Sequence, residues 1–205
     1  VIPSSITSIG ERAFNYCTGL QKIVIPESVT SIESCAFESC TALQEVVIPE
    51  GVTSIGGCAY YNCTALQEVV IPSSVTLIGN YAFHGCKKLQ KVVVPDGVTS
   101  INAEVFSECT GLQEVVIPSS VTSINAKAFR GCAGLQEVVI PSSVISIDAE
   151  AFVDCDNLKA IYVPKDKVDF YKKRFPIDMQ WLIVGEGSDL PTQDNSLVPA
   201  EVNEI

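Results

Sequence analysis

The feature that most constrains this chain is a repeat. Proline recurs at Pro3, Pro26, Pro49, Pro72, Pro95, Pro118, Pro141 and Pro164, always 23 residues apart. Cysteine keeps the same interval at Cys17, Cys40, Cys63, Cys86, Cys109, Cys132 and Cys155. So do a leucine column from Leu20 to Leu158, an isoleucine column from Ile9 to Ile147, and an aromatic column Phe14, Phe37, Tyr60, Phe83, Phe106, Phe129, Phe152. Seven consecutive copies of P-x-x-[VI]-x-x-I-x-x-x-[AV]-[FY]-x-x-C-x-x-L-x-x-[VI]-x-[VI] follow one another without insertion. Such a period points to a stacked array, because one 23-residue copy cannot bury its own apolar face and must share a core with its neighbours.

Residues 112–134 show how a unit folds. Leu112, Val115 and Ile117 point one way and Gln113, Glu114 and Val116 do not, which is a short strand. Pro118 ends it, since proline has no N–H for a ladder, and Ser119-Ser120 make a turn. Val121 and Ile124 cover the core from the far side. Asn125, in one column with Asn102 and Asp148, reads as the N-cap of a short helical turn. Ala128, Phe129 and Cys132 would then share a face. Gly134, with Gly19, Gly111 and Asn157 in its column, would close that turn at positive φ. Seven layers spaced about 4.8 Å make a strand face about 34 Å long.

The period and the L-x-x-[VI]-x-[VI] core fall in the leucine-rich-repeat range. The unit resembles the BspA-like (Treponema pallidum-type) leucine-rich repeat. The likeness is carried, for example, by Ala128-Phe129-Arg130-Gly131-Cys132-Ala133-Gly134-Leu135 followed by Val138-Val139-Ile140-Pro141, and it extends over residues 1 to about 164. It implies a right-handed solenoid with short parallel strands on the concave face, short helical turns elsewhere and a helical cap at the C-terminal end. It further implies a surface or secreted protein of bacteria or some protists, engaged in adhesion and protein binding, with neither catalysis nor a cofactor. The alternative is a bacterial effector or intracellular scaffold using the same face.

Three segments follow: a solenoid over 1–164, a cap over 165–184 and an acidic tail over 185–205. In the cap, 166–175 reads as an amphipathic helix covering the last layer, with Trp181, Leu182 and Ile183 packing nearby; Tyr162-Val163-Pro164 through Tyr171 looks like the cap of the family. The tail has no periodicity and is expected to be disordered. At the other end Val1-Ile2-Pro3 begins inside a strand without a visible cap, so further repeats or end-to-end association are expected there.

Charge narrows the partners. Thirteen basic against 24 acidic side chains give a net charge of -11. This disfavours nucleic acid and anionic lipid, both of which need a basic footprint. No apolar run approaches the ~20 residues that span a bilayer, and no signal peptide is visible.

The nine cysteines invite a metal or disulfide reading. The seven-membered column belongs with the aromatic and leucine columns, as buried small hydrophobes. Cys35-x4-Cys40 with Cys58-x4-Cys63 offers four thiols for zinc, but residues five apart on a helical turn diverge and Cys40 and Cys63 already belong to the core. Cys35 and Cys58 share an outer column in adjacent copies, where other copies have Arg12, Tyr81, Glu104, Lys127 and Glu150. They form a disulfide if the protein is exported, or else stand as two free surface thiols. The single histidine, His84, sits in a column of varied residues and reads as a solvent position, with no triad around it. Asn62-Cys63-Thr64 matches a glycosylation sequon by chance, since its middle residue is a core cysteine.

The strand face is the candidate working surface. Its outward row runs Val24, Val47, Val70, Val93, Val116, Val139 and ends in Tyr162. Beside it lie a glutamine row including Gln67 and Gln90 and a charged row including Glu68 and Lys91. An aliphatic stripe flanked by amides and charges suits a protein partner; it is equally what β-propensity and lateral stacking of valine would produce without a ligand.

Overall fold

The computed structural model describes residues 2–187, and it is a solenoid of about eight turns. Every rung takes the same path: a two-residue strand, a run of tight turns, a three-residue strand and a proline-led turn. The two-residue strands stack in parallel as Ser8–Ile9, Ser31–Ile32, Ser54–Ile55 and Leu77–Ile78, then as Ser100–Ile101, Ser123–Ile124 and Ser146–Ile147. The three-residue strands Lys22–Val24, Glu45–Val47 and Glu68–Val70 pair in parallel, as do Lys91–Val93 and Glu114–Val116. A last group joins Glu137–Val139, Ala160–Val163 and Ile183–Gly185. Register follows the repeat: Ile23 faces Val46, which faces Val69.

The inward columns fill the coil. Leu112, Val115 and Ile117 are buried as the alternation predicts, and Ala, aromatic, Cys and Leu columns are nearly free of solvent from the second rung onward. Phe14, Phe37, Tyr60 and Phe83 form a continuous ring stack with 5.2 Å between centroids. A stack of large rings along the axis gives each rung its main apolar contact with the next.

The segment between the two strands is not helical. Its backbone is a succession of β-turns, with Ala13 N–H on Gly10 O, Asn15 N–H on Arg12 O and Cys17 N–H on Phe14 O, each at 3.1 Å. The intervening N–H groups reach the next rung: Arg12 to Ser34 O, Phe14 to Ala36 O and Tyr16 to Glu38 O. Half of the donors therefore hold the turn and half hold the stack. Ala128, Phe129 and Cys132 do face the core together, so the predicted inward set stands while the predicted helical turn does not. Positive φ also falls elsewhere than expected. It occurs in the columns of Arg12 and Tyr16, including Cys35 at 57°, Asn62 at 55° and Gly131 at 69°, and not at Gly134. Gly134 is instead required by close approach: a Cβ there would meet the Leu112 carbonyl at 2.6 Å. The Asn125 column divides too. Asp148 Oδ1 accepts from Glu150 N–H at 2.9 Å in the manner of a cap, whereas Asn125 donates sideways to Ser100 Oγ at 3.0 Å.

The cysteine column does more than fill space. Each buried thiol donates to the backbone carbonyl of the aromatic residue one rung earlier: Cys40 to Phe14 O, Cys63 to Phe37 O, Cys86 to Tyr60 O, Cys109 to Phe83 O, Cys132 to Phe106 O and Cys155 to Phe129 O, all at 3.1–3.3 Å. Those carbonyls also accept a turn N–H, as Phe83 O does from Cys86. Cysteine suits the site because it is small and apolar yet has a weak donor for the carbonyl's second lone pair. Burial holds these thiols protonated, pushing Cys109 and Cys155 up to about 12.

One junction of the two-residue ladder is irregular. Between Leu77–Ile78 and Ser100–Ile101 the two-residue ladder is interrupted. In other rungs a backbone N–H reaches the preceding isoleucine carbonyl, as Gly79 does to Ile55 and Asn125 to Ile101. Here the Asn102 side-chain amide takes the role, donating to Ile78 O at 2.7 Å. The ring spacing opens on both sides of Phe106, to 5.7 Å from Phe83 and 5.6 Å from Phe129. Val105 stands at this junction in a column otherwise filled by alanine, and its two extra methyl groups need the added room.

The cap is shorter and more varied than the predicted helix. A 3-10 turn at Lys165–Lys167 leads into a helix of five residues, Val168–Lys172. Tyr171 is fully buried and donates to Val144 O at 2.8 Å. Phe175, one period beyond Phe152, closes the ring stack with centroids 6.3 Å apart. Leu182 and Ile183 are buried as expected, but Trp181 is 68% exposed. Ile183–Gly185 adds a strand beside Ala160–Val163 that the sequence pattern did not announce. From residue 188 onward, the expected disordered tail lies outside the described residues.

Candidate functional site

The strand face presents the predicted row, though not evenly. Val24, Val47, Val70 and Val93 are 73, 55, 50 and 39% exposed, whereas Val116, Val139 and Tyr162 are half-buried. The stripe is therefore open over its first four members and sheltered afterwards, where Tyr162 stands in register beside Val139. The structure brings Gln67, Glu68, Gln90 and Lys91 to this face. Gln67, Glu68 and Gln90 are exposed, while Lys91 is half-buried and pairs with Glu114 at 2.9 Å. Lys22 pairs with Glu45 at 3.5 Å. Glu45 of the second of these pairs lies in register beside Glu68 on the next rung. Lys22, Val24, Glu45, Val47 and Pro49 line a shallow groove at the N-terminal end.

The turn face carries a cluster that the sequence reading placed in solvent. His84 is only 17% exposed and stacks on Tyr61 with centroids 4.7 Å apart, with Tyr81 tilted against it at 6.0 Å. Tyr81 donates its hydroxyl to Glu104 Oε1 at 3.1 Å, and His84 Nδ1 lies 3.7 Å from Glu104 Oε2. Burial lowers the His84 pKa, against the upward pull of Glu104 and Glu108. The solvent reading fails because these partners come from other rungs: Tyr61 is one period before His84, and Glu104 is one period after Tyr81. The signal was a column whose members differ, which marks a position with individual partners as readily as an unconstrained one.

Cys35 and Cys58 occupy the same turn-face row in adjacent rungs, half-buried and free, at φ of 57° and 56°. Cys40 and Cys63 are committed to the interior, where they donate to Phe14 O and Phe37 O. The four thiols of the zinc pattern are thus divided between the outside and the inside of the coil. Among the described residues no three His, Cys, Asp or Glu side chains are grouped to hold a metal ion. Asn62 of the sequon is half-buried at a left-handed turn position.

The repeat model of the BspA type leucine rich repeat region matches six copies, over residues 1–112 and 100–177. The chain belongs to that family. A leucine-rich repeat protein from Bacteroides ovatus is 33% identical with a TM-score of 0.74, the match covering 77% of this chain and 43% of that one. This chain thus spans less than half the length of the Bacteroides protein. The leucine-rich repeat protein of T. pallidum is 27% identical with a TM-score of 0.75, covering 89% of this chain and 85% of that one. A pneumococcal vaccine antigen, PcpA, shares the fold at 20% identity and a TM-score of 0.54, covering 90% of this chain and 40% of that one. No curated protein matches the chain. Leucine-rich repeats of this family are typically non-enzymatic binding modules. No helix among the described residues is long and apolar enough to cross a membrane.

Proposed function

We propose that the chain is a protein-interaction module of a surface-exposed or secreted adhesion protein, and that it captures its partner across the strand face. Val47, Val70 and Val93 form the apolar contact and Val116, Val139 and Tyr162 continue it. Gln67 and Gln90 offer donors and acceptors, while Glu68 and Lys91 flank the stripe. The observation that supports this reading is the run of solvent-facing valines, four in file from 73 to 39% exposed, the first three on strands paired in register and Val93 on the next rung, whose strand pairs onward. A hydrophobic file bordered by polar rows matches the centre and rim of a protein interface. Because the same contact recurs at each rung, the face fits an extended segment better than a compact epitope. Placement at the surface rests on the family resemblance.

The test is a double substitution, Val70→Asp with Val93→Asp. Both side chains point outward, so circular dichroism and the melting temperature should change little. Proteins enriched on the parent chain in a quantitative pull-down should fall at least tenfold on the variant. Equal capture by a folded variant would move the docking site off this face. A second reading, an intracellular scaffold or effector using the same face, is favoured by the nine free thiols, which suit a reducing compartment. Cell fractionation separates the two.

A further inference from the structure

The turn-face row that holds Cys35 and Cys58 is a row of side-chain pairs. Tyr81 bonds Glu104 at 3.1 Å, and Lys127 meets Glu150 at 3.5 Å, each across one rung boundary. Cys35 and Cys58 stand in the same relation, also one period apart. Their rungs are tied at this point by backbone bonds, with Cys35 N–H on Gly57 O and Cys58 N–H on Asn80 O, both at 2.9 Å. The two side chains are near enough to shift one another's titration. Both are partly accessible, whereas the six other thiols from Cys40 to Cys155 are buried. Rungs about 4.8 Å apart place paired Cα atoms inside the ~4.4–6.8 Å range that a disulfide spans.

We infer that Cys35 and Cys58 are a dithiol site that closes to an inter-rung disulfide by exchange with a low-molecular-weight disulfide. One thiol loses its proton and attacks one sulfur of the oxidant, forming a mixed disulfide, while the other sulfur leaves as a thiolate and takes up a proton. The second thiol then attacks the mixed disulfide, its proton leaves, and a second molecule of small thiol is released. The two cysteines lose two electrons and the oxidant gains two. Burial, with the carboxylate of Glu38 beside it, pushes the Cys35 pKa up to about 11. Closure is therefore slow at neutral pH and accelerates as pH rises. The core column does not join in, because its thiols are buried and occupied with carbonyls. This site is independent of the docking reading.

The experiment oxidises the folded chain with glutathione disulfide at pH 8, in a Cys17→Ser background that removes the other exposed thiol. Digestion after glutamate is then read by mass spectrometry without reduction. Residues 34–38 and 51–68 fall on separate peptides, and fragmentation between Cys58 and Cys63, both on the second, assigns the bond; the expected product is their cross-link at Cys58, with loss of two titratable thiols. Cys35→Ser should leave Cys58 carrying glutathione, and Glu38→Gln should speed closure severalfold. Separate peptides bearing free thiols or stable glutathione adducts, from a chain still folded by circular dichroism, would overturn the inference. So would a cross-link to any core cysteine.

Discussion

The strand face and the turn face are built from the same rungs, yet they differ in kind. On the strand face each row repeats itself: valine from Val24 to Val139, glutamine from Gln21 to Gln136. On the turn face the rows change at nearly every step, from Arg12 through Cys35, Cys58, Tyr81, Glu104 and Lys127 to Glu150. Parallel in-register strands bring identical side chains against one another, and β-branched aliphatics pack well that way. The turn rows instead match unlike partners: a hydroxyl with a carboxylate at Tyr81–Glu104, a guanidinium with a carboxylate at Arg130–Asp154, 3.0 Å apart. One face thus repeats its apolar and amide residues from rung to rung, with the valines open on four rungs and sheltered on the next two, and the other gives each rung its own identity. On the docking proposal, a partner on the first can lie in several registers; a chemistry located on the second has one address.

The largest blow to this division should come from beneath both faces. Phe83→Ala removes a fully buried ring from the middle of the stack and should cost about 3–5 kcal/mol. Urea unfolding should show the loss, and both faces should fail together in one cooperative transition. A smaller effect separates inside from outside. Cys109→Ala removes the donor to Phe83 O and leaves a small void, which should cost about 1–2 kcal/mol. Val93→Ala, on the solvent-facing row, should stay within about 0.5 kcal/mol in the same assay. The smallest effect belongs to the turn face alone. His84 has a folded pKa below its ordinary 6.5, so the unfolded chain binds its proton first as pH falls. Stability carried by neutral His84 is complete above about 6.5 and is lost as pH drops from there toward the folded value. Melting temperatures of the parent chain and His84→Gln between pH 7.5 and 5 should show a shallower slope in the variant.

Much of this was legible because the period does the work of an alignment. Eight inward columns could be read from spacing alone, and Leu112, Val115 and Ile117 are buried where alternation put them. Phe175 could have been added to the aromatic column by counting one more period from Phe152. The turn conformation was not legible. Residues at the spacing of Ala128, Phe129 and Cys132 face one way on a helix and also on a chain of β-turns, and only the bonds to the next rung distinguish the two. The same holds for His84, whose surroundings are set by residues 20 and 23 positions away. The thiol donors were missed because burial alone explains a small apolar residue; the carbonyl above each one appears only once the rungs are stacked.

The thiol-to-carbonyl bonds all run the same way, each reaching back to the rung before. The coil consequently has a polarity: each buried cysteine is served by the rung before it and never by the one after. At the last rung the ring of Phe175 and the hydroxyl of Tyr171 take over these roles from the repeat. An interior rung therefore keeps its place only by handing an aromatic carbonyl forward and a thiol back, so no rung can be inverted in the stack without breaking both bonds.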